Sequence, residues 1–327
     1  MHIKDEIWIL ADDRPGTLSQ SIGLAEEIGF DYKLIKLDYS FFSALPNCFL
    51  SSSLLRVSAS LRKDFKRLDY LPSLVISAGR RSAPIALYLK KLSQNRTEIV
   101  QIMRPNLNLE KFDFVILPKH DGAVEEKFSN LITTIGSLTK TNENLIEQEK
   151  AKFAPWFQDI AKTKIAVMVG GSSAKTKFTK SSAEKLAKIS SDIAEKMDAT
   201  LLVLNSRRSG LELTEAIKSK LDCDFKFFDW EKVKNENPYL AILGYADFFI
   251  ITGDSVSMIS ECCSTGKPVY IFDEKEISSD KHRKFHQNLL SGNYARKLPK
   301  ISERLKNFVP EKLQETKRVA ALIRAKF

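Results

Sequence analysis

Hydroxyl groups and a carboxylate follow an apolar run in the segment 250–261 (IITGDSVSMISE), where a predicted strand gives way to a polar turn and a short helix. The first N–H groups of a helix have no backbone partner and attract anions such as phosphate. Ser257 and Glu261 are four residues apart, so both can lie on one face of that helix. Open α/β sheets bind ligands at the carboxyl ends of their strands. The segment therefore predicts a phosphate site with a carboxylate beside it.

Two more loops in the second half of the chain follow predicted strands and carry glycine, hydroxyl and basic residues. Glycine turns with cationic side chains suit a diphosphate, and Glu261 can accept hydrogen bonds from the paired hydroxyls of a ribose. The candidate donor-binding residues of this half are Gly170, Gly171, Ser172, Lys175, Ser206, Arg207, Arg208, Gly253, Asp254, Ser255, Val256, Ser257, Met258 and Glu261.

The two common nucleotide-binding templates do not fit these loops. The segment 170–177 lacks both G-x-G-x-x-G and G-x-x-x-x-G-K-[ST]. The segment 264–267 (STGK) resembles the end of a Walker loop, but Glu261 stands where the first glycine is needed and Pro268 follows the lysine. We therefore exclude a Rossmann dinucleotide site and a Walker loop.

Two loops of the first half also place charged residues after predicted strands. In the first, an acid beside an arginine can orient a substrate or act as a base, and a capped turn with a local ion pair is the alternative. In the second, two arginines stand at a helix start, where the helix dipole repels them unless an anion lies between. The candidates are Asp12 and Asp13 as catalytic residues, and Arg14, Gly16, Gln20, Gly79, Arg80 and Arg81 as substrate-binding residues.

The histidines and cysteines do not form a recognisable metal or redox motif. His282 and His286 can share a helix face but lack an obvious third ligand, and His120 is a weak candidate for acid–base chemistry. The four cysteines form no C-x-x-C pair, so we expect small buried side chains in a reducing compartment. No metal and no cofactor is predicted.

Apolar runs alternate with helical patterns along nearly the whole chain, which indicates parallel sheets wound with helices. A polar break around 139–154 interrupts this alternation. The predicted fold class is α/β, with two doubly wound Rossmann-like domains that face each other across a cleft. The predicted boundaries are 1–145 for an N-terminal, acceptor-side domain, 146–159 for a linker, 160–310 for a C-terminal donor domain, and 311–327 for a helix able to pack back on the first domain.

Taken together, the loops resemble the mitochondrial-fission "elongated mitochondria" family, and the resemblance covers nearly the whole chain. Its motifs here are 12–16 (DDRPG) with Gln20, 77–81 (SAGRR), 170–171 (GG), 206–208 (SRR), 237–239 (NPY), 252–261 (TGDSVSMISE), 266–269 (GKPV) and 285–286 (FH). The resemblance implies a fold like that of GT-B glycosyltransferases, and bacterial members of the family are described as predicted nucleoside-diphosphate-sugar enzymes.

The last helix–strand unit is also similar to the donor half of the N-acetylglucosaminyl transferase of peptidoglycan synthesis. This resemblance implies that Ser255, Ser257 and Glu261 hold the donor. At the N-terminal loop the chain departs from that enzyme, because it has DDRPG in place of a glycine-rich turn that bears a histidine.

The leading hypothesis is a GT-B-like, metal-independent glycosyltransferase that uses a nucleotide-diphosphate sugar. Arg207, Lys175 and the helix start at 255–257 would stabilise the leaving diphosphate. Asp12 or Asp13 would orient or deprotonate an acceptor hydroxyl across the cleft, and an envelope or lipid-linked glycan is the expected acceptor. Two alternatives stay open: a non-catalytic scaffold that recruits a partner to a membrane surface, and a nucleotide-sugar epimerase.

The charge balance and the apolar pattern bear on partners and location. The formal net charge is +10, which favours anionic partners. No RNA-binding signature appears, so a nucleotide sugar is the expected partner and nucleic acid is not, with an anionic membrane surface as a further candidate. The chain shows no signal-peptide core and no apolar run of the ~18 residues that a membrane helix needs. We expect a cytoplasmic, bacterial-type protein, with peripheral association at the inner membrane as an open alternative.

Overall fold

The computed structural model describes residues 2–122, 128–173, 176–299 and 303–326. The chain divides into two compact units. Unit 1 comprises Met1–Lys140 and Gln314–Phe327, and unit 2 comprises Thr141–Leu313. Each unit contains its own six-stranded sheet.

The sheet of unit 1 is entirely parallel, in the spatial order β2-β1-β3-β4-β5-β6. Its strands are β1 (His2–Ala11), β2 (Tyr32–Lys36), β3 (Tyr70–Ala78), β4 (Glu98–Ile102), β5 (Phe114–Pro118) and β6 (Leu131–Thr134). The helices are α1 (Pro15–Ile28), α2 (Ala59–Lys66), α3 (Gly79–Leu92) and α12 (Glu315–Arg324), with short 3-10 turns between them. Central strands such as β3 are apolar on both faces because helices cover the sheet on each side.

The last helix of the chain belongs to unit 1, where α12 packs against α1. Val319, Ala320 and Ile323 are fully buried in the same core cluster as Leu24. Helix α1 itself begins with a proline in its first turn and ends at Gly29, whose φ of 88° is a left-handed conformation that glycine adopts readily. The two ends of the chain's first unit therefore meet in one core.

The sheet of unit 2 is also parallel, in the order β12-β11-β10-β7-β8-β9. Its strands are β7 (Thr163–Met168), β8 (Ala199–Leu204), β9 (Phe225–Phe228), β10 (Phe248–Thr252), β11 (Val269–Phe272) and β12 (Arg296–Lys297). Its helices are α4 (Glu143–Lys152), α5 (Ala154–Phe157), α6 (Lys180–Met197), α7 (Gly210–Lys218), α8 (Trp230–Val233), α9 (Tyr239–Tyr245), α10 (Val256–Ser264) and α11 (Asp280–Ser291).

The segment 146–159, predicted as a linker, contains α5 and most of α4, and it is part of unit 2. Helix α4 packs against α9. Phe157 is buried and stacks on Tyr245 with ring centroids 4.6 Å apart. The polar surface of α4 makes the segment look like a linker in the sequence, but its aromatic end belongs to a packed core.

The predicted α/β class with two doubly wound, Rossmann-like halves is confirmed. Strand β12, of only two residues, lies at one edge of the sheet of unit 2, and β6 lies at one edge of the sheet of unit 1. In each unit the strand order reverses beside the first strand, between β1 and β3 in unit 1 and between β7 and β10 in unit 2. Such switch points leave a crevice at the carboxyl ends of the strands. Among the described residues, no helix is long and apolar enough to cross a membrane.

Candidate functional site

The loops after β7, β8 and β10 meet at the switch point of unit 2. There the carboxylate of Asp254, from the β10 loop, is hydrogen-bonded to the other two loops. Oδ2 of Asp254 accepts hydrogen bonds from the Gly171 backbone N–H at 3.0 Å and from Arg208 Nη2 at 2.7 Å. The Asp254 side chain is only 1% exposed, whereas the Arg208 side chain is 35% exposed, so the carboxylate is buried and the guanidinium reaches the surface. The three predicted loops of the second half are therefore neighbours in space.

Glycine is required at the centre of this junction. A Cβ at Gly170 would overlap both carboxylate oxygens of Asp254, and one at Gly171 would overlap the backbone of Arg208. Gly170 also donates to Thr252 Oγ1 at 2.8 Å and accepts from Ser209 Oγ at 2.5 Å. The glycines allow the loops to approach each other closely, which is a reason for their presence besides ligand binding.

The two adjacent arginines of the β8 loop differ in what they contact. Arg208 donates to the Gly171 carbonyl at 3.0 Å and to Asp254, so its charge is engaged within the protein. Arg207 is exposed, and within the described part of the chain it makes no hydrogen bond or ion pair. Ser206 belongs to a turn in which its Oγ accepts from the Arg208 backbone N–H. Arg207 is therefore the arginine of this loop that is available to an anion.

Helix α10 starts directly after this junction. Ser255 caps it, since its Oγ accepts from the Met258 backbone N–H at 3.4 Å. The side chains of residues 255–258 are half-buried, whereas Gly253 and Asp254 are buried. The N–H groups of Val256 and Ser257 precede the first intrahelical hydrogen bond and face outward along the helix axis. The predicted anion-binding helix start thus lies beside the glycine turn.

Glu261, two turns into α10, is held by a tyrosine. The hydroxyl of Tyr239, at the start of α9, donates to Glu261 Oε2. Burial and the neighbouring Glu261 raise the pKa of the Tyr239 hydroxyl well above its ordinary value, so it stays a donor. This contact fixes the orientation of a half-buried carboxylate.

Two histidines of α11 support the same region. His286 is buried and its Nε2 donates to the Gly253 carbonyl at 2.9 Å. His282 belongs to the capping box of α11, where its Nδ1 accepts from the Ser279 backbone N–H at 3.3 Å. Burial, and then His286, lower the pKa of His282. Among the described residues no cluster of three or more histidine, cysteine or acidic groups could hold a metal ion.

The remaining basic and hydroxyl residues of this half are not all placed for ligand binding. Lys175 lies outside the described residues, and Ser172 is exposed and accepts from the Phe178 backbone N–H at 3.0 Å. Lys267, from the excluded Walker-like segment, donates to the carbonyls of Leu243, Gly244 and Ala246 at the end of α9. Burial lowers its pKa to about 8. Lys267 therefore caps a helix.

In unit 1 the two predicted catalytic acids meet Arg81. Asp12 and Asp13 follow β1, and Arg81 lies in the first turn of α3, across the switch point. Arg81 Nη2 donates to both carboxylates, and its Nη1 approaches Asp13 Oδ2 at 3.4 Å. The guanidinium lies over the ring of Tyr39 with 4.4 Å between its Cζ and the ring centroid. One cation thus holds two adjacent acids.

The two acids titrate differently because one is buried and the other is not. Burial and the adjacent Asp13 raise the pKa of Asp12, whose side chain is 5% exposed. Hydrogen bonding with Asp12 and Arg81 lowers the pKa of Asp13 to about 2, and its side chain is 66% exposed. A pair of carboxyl groups whose pKa values are driven apart is an arrangement suited to acid–base work.

The remaining candidates of unit 1 surround this pair. Arg14 precedes α1 and is exposed, as is Arg80. Gly16 lies in the first turn of α1, where its carbonyl accepts from Gln20 Nε2 at 3.2 Å. Gly79 begins α3 with a φ of 75°, a left-handed conformation that favours glycine. Unlike Arg81, Arg80 makes no side-chain ion pair with the described residues.

Three residues near this site were not among the candidates chosen from the sequence. Tyr39 lies under Arg81, and Arg56 Nη1 and Asn47 Nδ2 each donate to the Arg80 carbonyl at 2.8 Å. Arg56 is fully buried, although it follows a serine- and leucine-rich run. Nothing in the local pattern marks them, because their partners lie 24 and 33 residues away.

Both the sequence and the structure of the chain are similar to those of known proteins. Residues 15–327 match the family described as Mitochondrial fission ELM1. The chain is 31% identical over 351 residues to an uncharacterized protein, RP120, of Rickettsia prowazekii (strain Madrid E), with 97% of each chain covered. It is 26% identical over 220 residues to the mitochondrial fission protein ELM1 of Arabidopsis thaliana, which covers 61% of this chain and 51% of the plant protein.

Several solved structures share the fold over the whole chain. UDP-GlcNAc 2-epimerase from Methanocaldococcus jannaschii matches with a TM-score of 0.58 and 13% identity, covering 100% of this chain and 99% of that one. UDP-GlcNAc 2-epimerase from Neisseria meningitidis, bound to UDP-GlcNAc, has a TM-score of 0.55, 13% identity and coverage of 98% and 100%. Spinosyn forosaminyltransferase SpnP has a TM-score of 0.52, 11% identity and coverage of 100% and 95%. The fold is thus GT-B-like, while identities this low say nothing about the reaction.

Proposed function

The chain belongs to the mitochondrial fission ELM1 family, and from this premise we propose that it binds a nucleotide-diphosphate sugar in unit 2 and transfers the sugar to an acceptor. The observation that carries the proposal is the junction of the β7, β8 and β10 loops. It brings a glycine turn, an exposed arginine and the start of α10 together, with Glu261 two turns further along the helix. These groups match the diphosphate and the ribose of one ligand.

We assign the residues of the junction to three roles: diphosphate binding, ribose binding and positioning of the loops. The N–H groups at residues 256–257 and the guanidinium of Arg207 would hold the diphosphate, since both are donors free of competing acids. Glu261, oriented by Tyr239, would accept hydrogen bonds from the ribose hydroxyls. Asp254 and Arg208, which are bonded to each other, would keep the loops in register instead of touching the ligand.

The chemistry proposed is displacement at the anomeric carbon of the sugar. The acceptor oxygen forms a bond to that carbon, the bond from the carbon to the diphosphate oxygen breaks, and the diphosphate leaves with the electron pair. Positive charge from Arg207 and the helix start would stabilise the leaving group without a metal. In unit 1, Asp12 is the proposed base for the acceptor proton, because its raised pKa makes it the more basic of the two acids.

Calorimetric titration with a panel of nucleotide sugars and free nucleoside diphosphates tests the donor site. We expect binding by at least one of them, and Glu261→Ala should weaken it by roughly tenfold or more, because hydrogen bonds to a charged group contribute about 1.5–3 kcal/mol. Glu212→Ala is the matched control, since Glu212 is exposed on α7 of the same unit. Absence of binding by every nucleotide, or equal affinity for Glu261→Ala and the native protein, would contradict the proposal.

Two other functions use the same fold. A nucleotide-sugar epimerase is one alternative, since two UDP-GlcNAc 2-epimerases share the fold. Incubation with a single donor and no acceptor separates it from a transferase, since only an epimerase then changes the sugar.

A scaffold that recruits a partner to a membrane surface is supported by the relationship to the plant fission protein, and it predicts no nucleotide binding at all.

A further inference from the structure

Exposed apolar side chains are concentrated in one loop of unit 1, residues 40–57, between β2 and α2. Among the described residues twelve large apolar side chains are exposed, and five of them lie in this loop. They are Phe41 (95% exposed), Phe49 (76%), Phe42 (46%), Leu55 (46%) and Leu45 (40%). Scattered surface residues need no explanation, but this density within 15 residues does.

The loop is ordered by contacts at its base. An antiparallel bridge joins Tyr39 to Val57, and the Ser40 backbone N–H donates to the Arg56 carbonyl at 2.6 Å. The buried guanidinium of Arg56 donates to the carbonyls of Leu45 and Arg80. These contacts hold the base of the loop in place, so the exposed phenylalanines belong to a folded segment.

The leucines of the same loop show that its inner and outer faces are distinct. Leu50, Leu54 and Val57 are at most 6% exposed, and Leu54 and Val57 belong to the core of unit 1. The large exposed apolar side chains are phenylalanine and leucine, and five serines, at positions 40, 43, 51, 52 and 53, lie in the same loop. Aromatic and aliphatic groups among small hydroxyl residues suit the boundary between lipid headgroups and acyl chains, where polar backbone is still hydrated.

The basic residues that follow the loop favour an anionic lipid surface. Residues 59–67 carry four basic residues, Arg62, Lys63, Lys66 and Arg67, against one acid, Asp64. Asp38 and Asp69 flank this part of the chain, and the buried Arg56 does not contribute to its surface charge. Basic residues beside an apolar surface are attracted to anionic lipids. The formal net charge of +10 for the whole chain acts in the same direction.

From this combination we propose that the 40–57 loop docks the protein on an anionic lipid bilayer, with Phe41 and Phe49 entering the headgroup–acyl boundary and the basic residues of α2 facing the lipid phosphates. The proposal does not depend on nucleotide binding. Arg56 of the loop contacts the backbone of Arg80 at the start of α3, and Tyr39, at the base of the loop, contacts the guanidinium of Arg81.

Sedimentation of the full chain with vesicles tests the proposal. We expect binding to zwitterionic vesicles that contain about a third anionic lipid, and weaker binding without it or at about 0.5 M salt. Phe41→Ser with Phe49→Ser should lower the affinity at least about tenfold, since two large apolar groups no longer leave water. The matched control is Leu211→Ser with Val309→Ser, which removes side chains of similar exposure (76% and 89%) from unit 2.

A second measurement locates the contact. Tryptophan placed at position 49 (Phe49→Trp) should be quenched by brominated lipids, whereas Leu211→Trp should not. The proposal is overturned if vesicles are not bound, if both double variants bind alike, or if Phe49→Trp is unquenched. It is also overturned if the native protein dimerises and Phe41→Ser with Phe49→Ser is monomeric without any effect on lipid binding, since the loop would then cover a second copy.

Discussion

Adjacent residues of the same type differ in burial, pKa and partners in both units. Asp12 is buried and has a raised pKa, while Asp13 is exposed and has a pKa of about 2. Arg81 bridges the two carboxylates, and Arg80 beside it is exposed and makes no ion pair with the described residues. The same division holds for Arg208, which is bonded to Asp254, and Arg207, which is not. In both units one arginine maintains the site and its neighbour remains open to an anion.

Replacing Arg81 should change how the two acids titrate. In Arg81→Gln, we expect the pKa of Asp13 to rise from about 2 toward its ordinary 3.8 and the pKa of Asp12 to rise further, because both lose the same cation. Carbon-13 NMR of the carboxyl groups measures both values. Arg80→Gln is the control and should leave them unchanged.

The same substitution should remove a pH-dependent part of the stability. Because the folded pKa of Asp13 is depressed, its contribution is present above pH 3.8 and is lost as the pH falls toward 2. Denaturation curves over that range should therefore be less pH-dependent in Arg81→Gln than in the native protein. An unchanged slope would show that Arg81 does not set the pKa of Asp13.

Gly170 offers a test of the junction in unit 2. Gly170→Ala should destabilise the protein by about 1–3 kcal/mol, because the added methyl overlaps the carboxylate of Asp254. In the Asp254→Ala background the same change should cost less, and the difference is a coupling energy of about 0.5–3 kcal/mol. Chemical denaturation of the four variants measures it. Additive effects would mean that the two residues do not constrain each other.

At the scale of elements, each site depends on a helix start held next to a strand end. Helix α10 begins after β10 with a serine cap, and α3 begins after β3 at a glycine with positive φ. Contacts from elsewhere in the chain then orient these starts. Lys267 caps the end of α9, whose first residue Tyr239 holds Glu261 of α10. The geometry of the candidate donor site therefore rests on α9 as well as on the loops.

Helix α12 is expected to be essential for unit 1, although it follows unit 2 in the chain. Ile323 is fully buried against that core, so Ile323→Ala should destabilise unit 1 by about 2–5 kcal/mol. Hydrogen exchange should then become faster in α1 and in the sheet of unit 1, with unit 2 unaffected. Leu322→Ala is the control, because Leu322 is 45% exposed. Equal exchange in the two variants would contradict this role of α12.

At the scale of the whole molecule, the two units differ in how the chain builds them. Unit 2 is one continuous segment, whereas unit 1 needs two segments separated by 173 residues of unit 2 (Thr141–Leu313). Unit 2 also has its own apolar core and all six strands of its sheet within that segment. Continuous units with their own core can fold alone.

The excised segment 141–313 should therefore fold independently, and the segment 1–140 should not, since it lacks α12. Circular dichroism and cooperative denaturation check both expectations. If the donor-site proposal is right, the 141–313 fragment should also bind the nucleotide with an affinity close to that of the full chain. A fragment 141–313 without cooperative unfolding would show that unit 2 depends on unit 1 for its stability.

The fold class and the loops able to bind a ligand could be predicted from the amino-acid sequence. Apolar runs of strand length alternating with amphipathic helices leave few architectures other than a doubly wound sheet, because each pattern dictates which face is buried. Glycine and charged residues after strands then mark the loops. This reasoning indicated the 170–171, 206–208 and 252–261 loops, which the structure brings together at one switch point.

The contacts of the individual side chains in those loops could not be predicted from the sequence, because they depend on residues far away in the chain. Arg207 and Arg208 are equivalent in the sequence, and the difference between them comes from Asp254, 46 residues beyond Arg208. The pKa values of Asp12 and Asp13 separate because burial raises that of Asp12, while hydrogen bonds from Asp12 and from Arg81, nearly 70 residues away, lower that of Asp13. The outward direction of Phe41 and Phe49 likewise depends on distant carbonyls that bind Arg56 and Asn47. The protonation and the orientation of these side chains depend on burial and on distant partners. The local sequence shows neither burial nor distant partners.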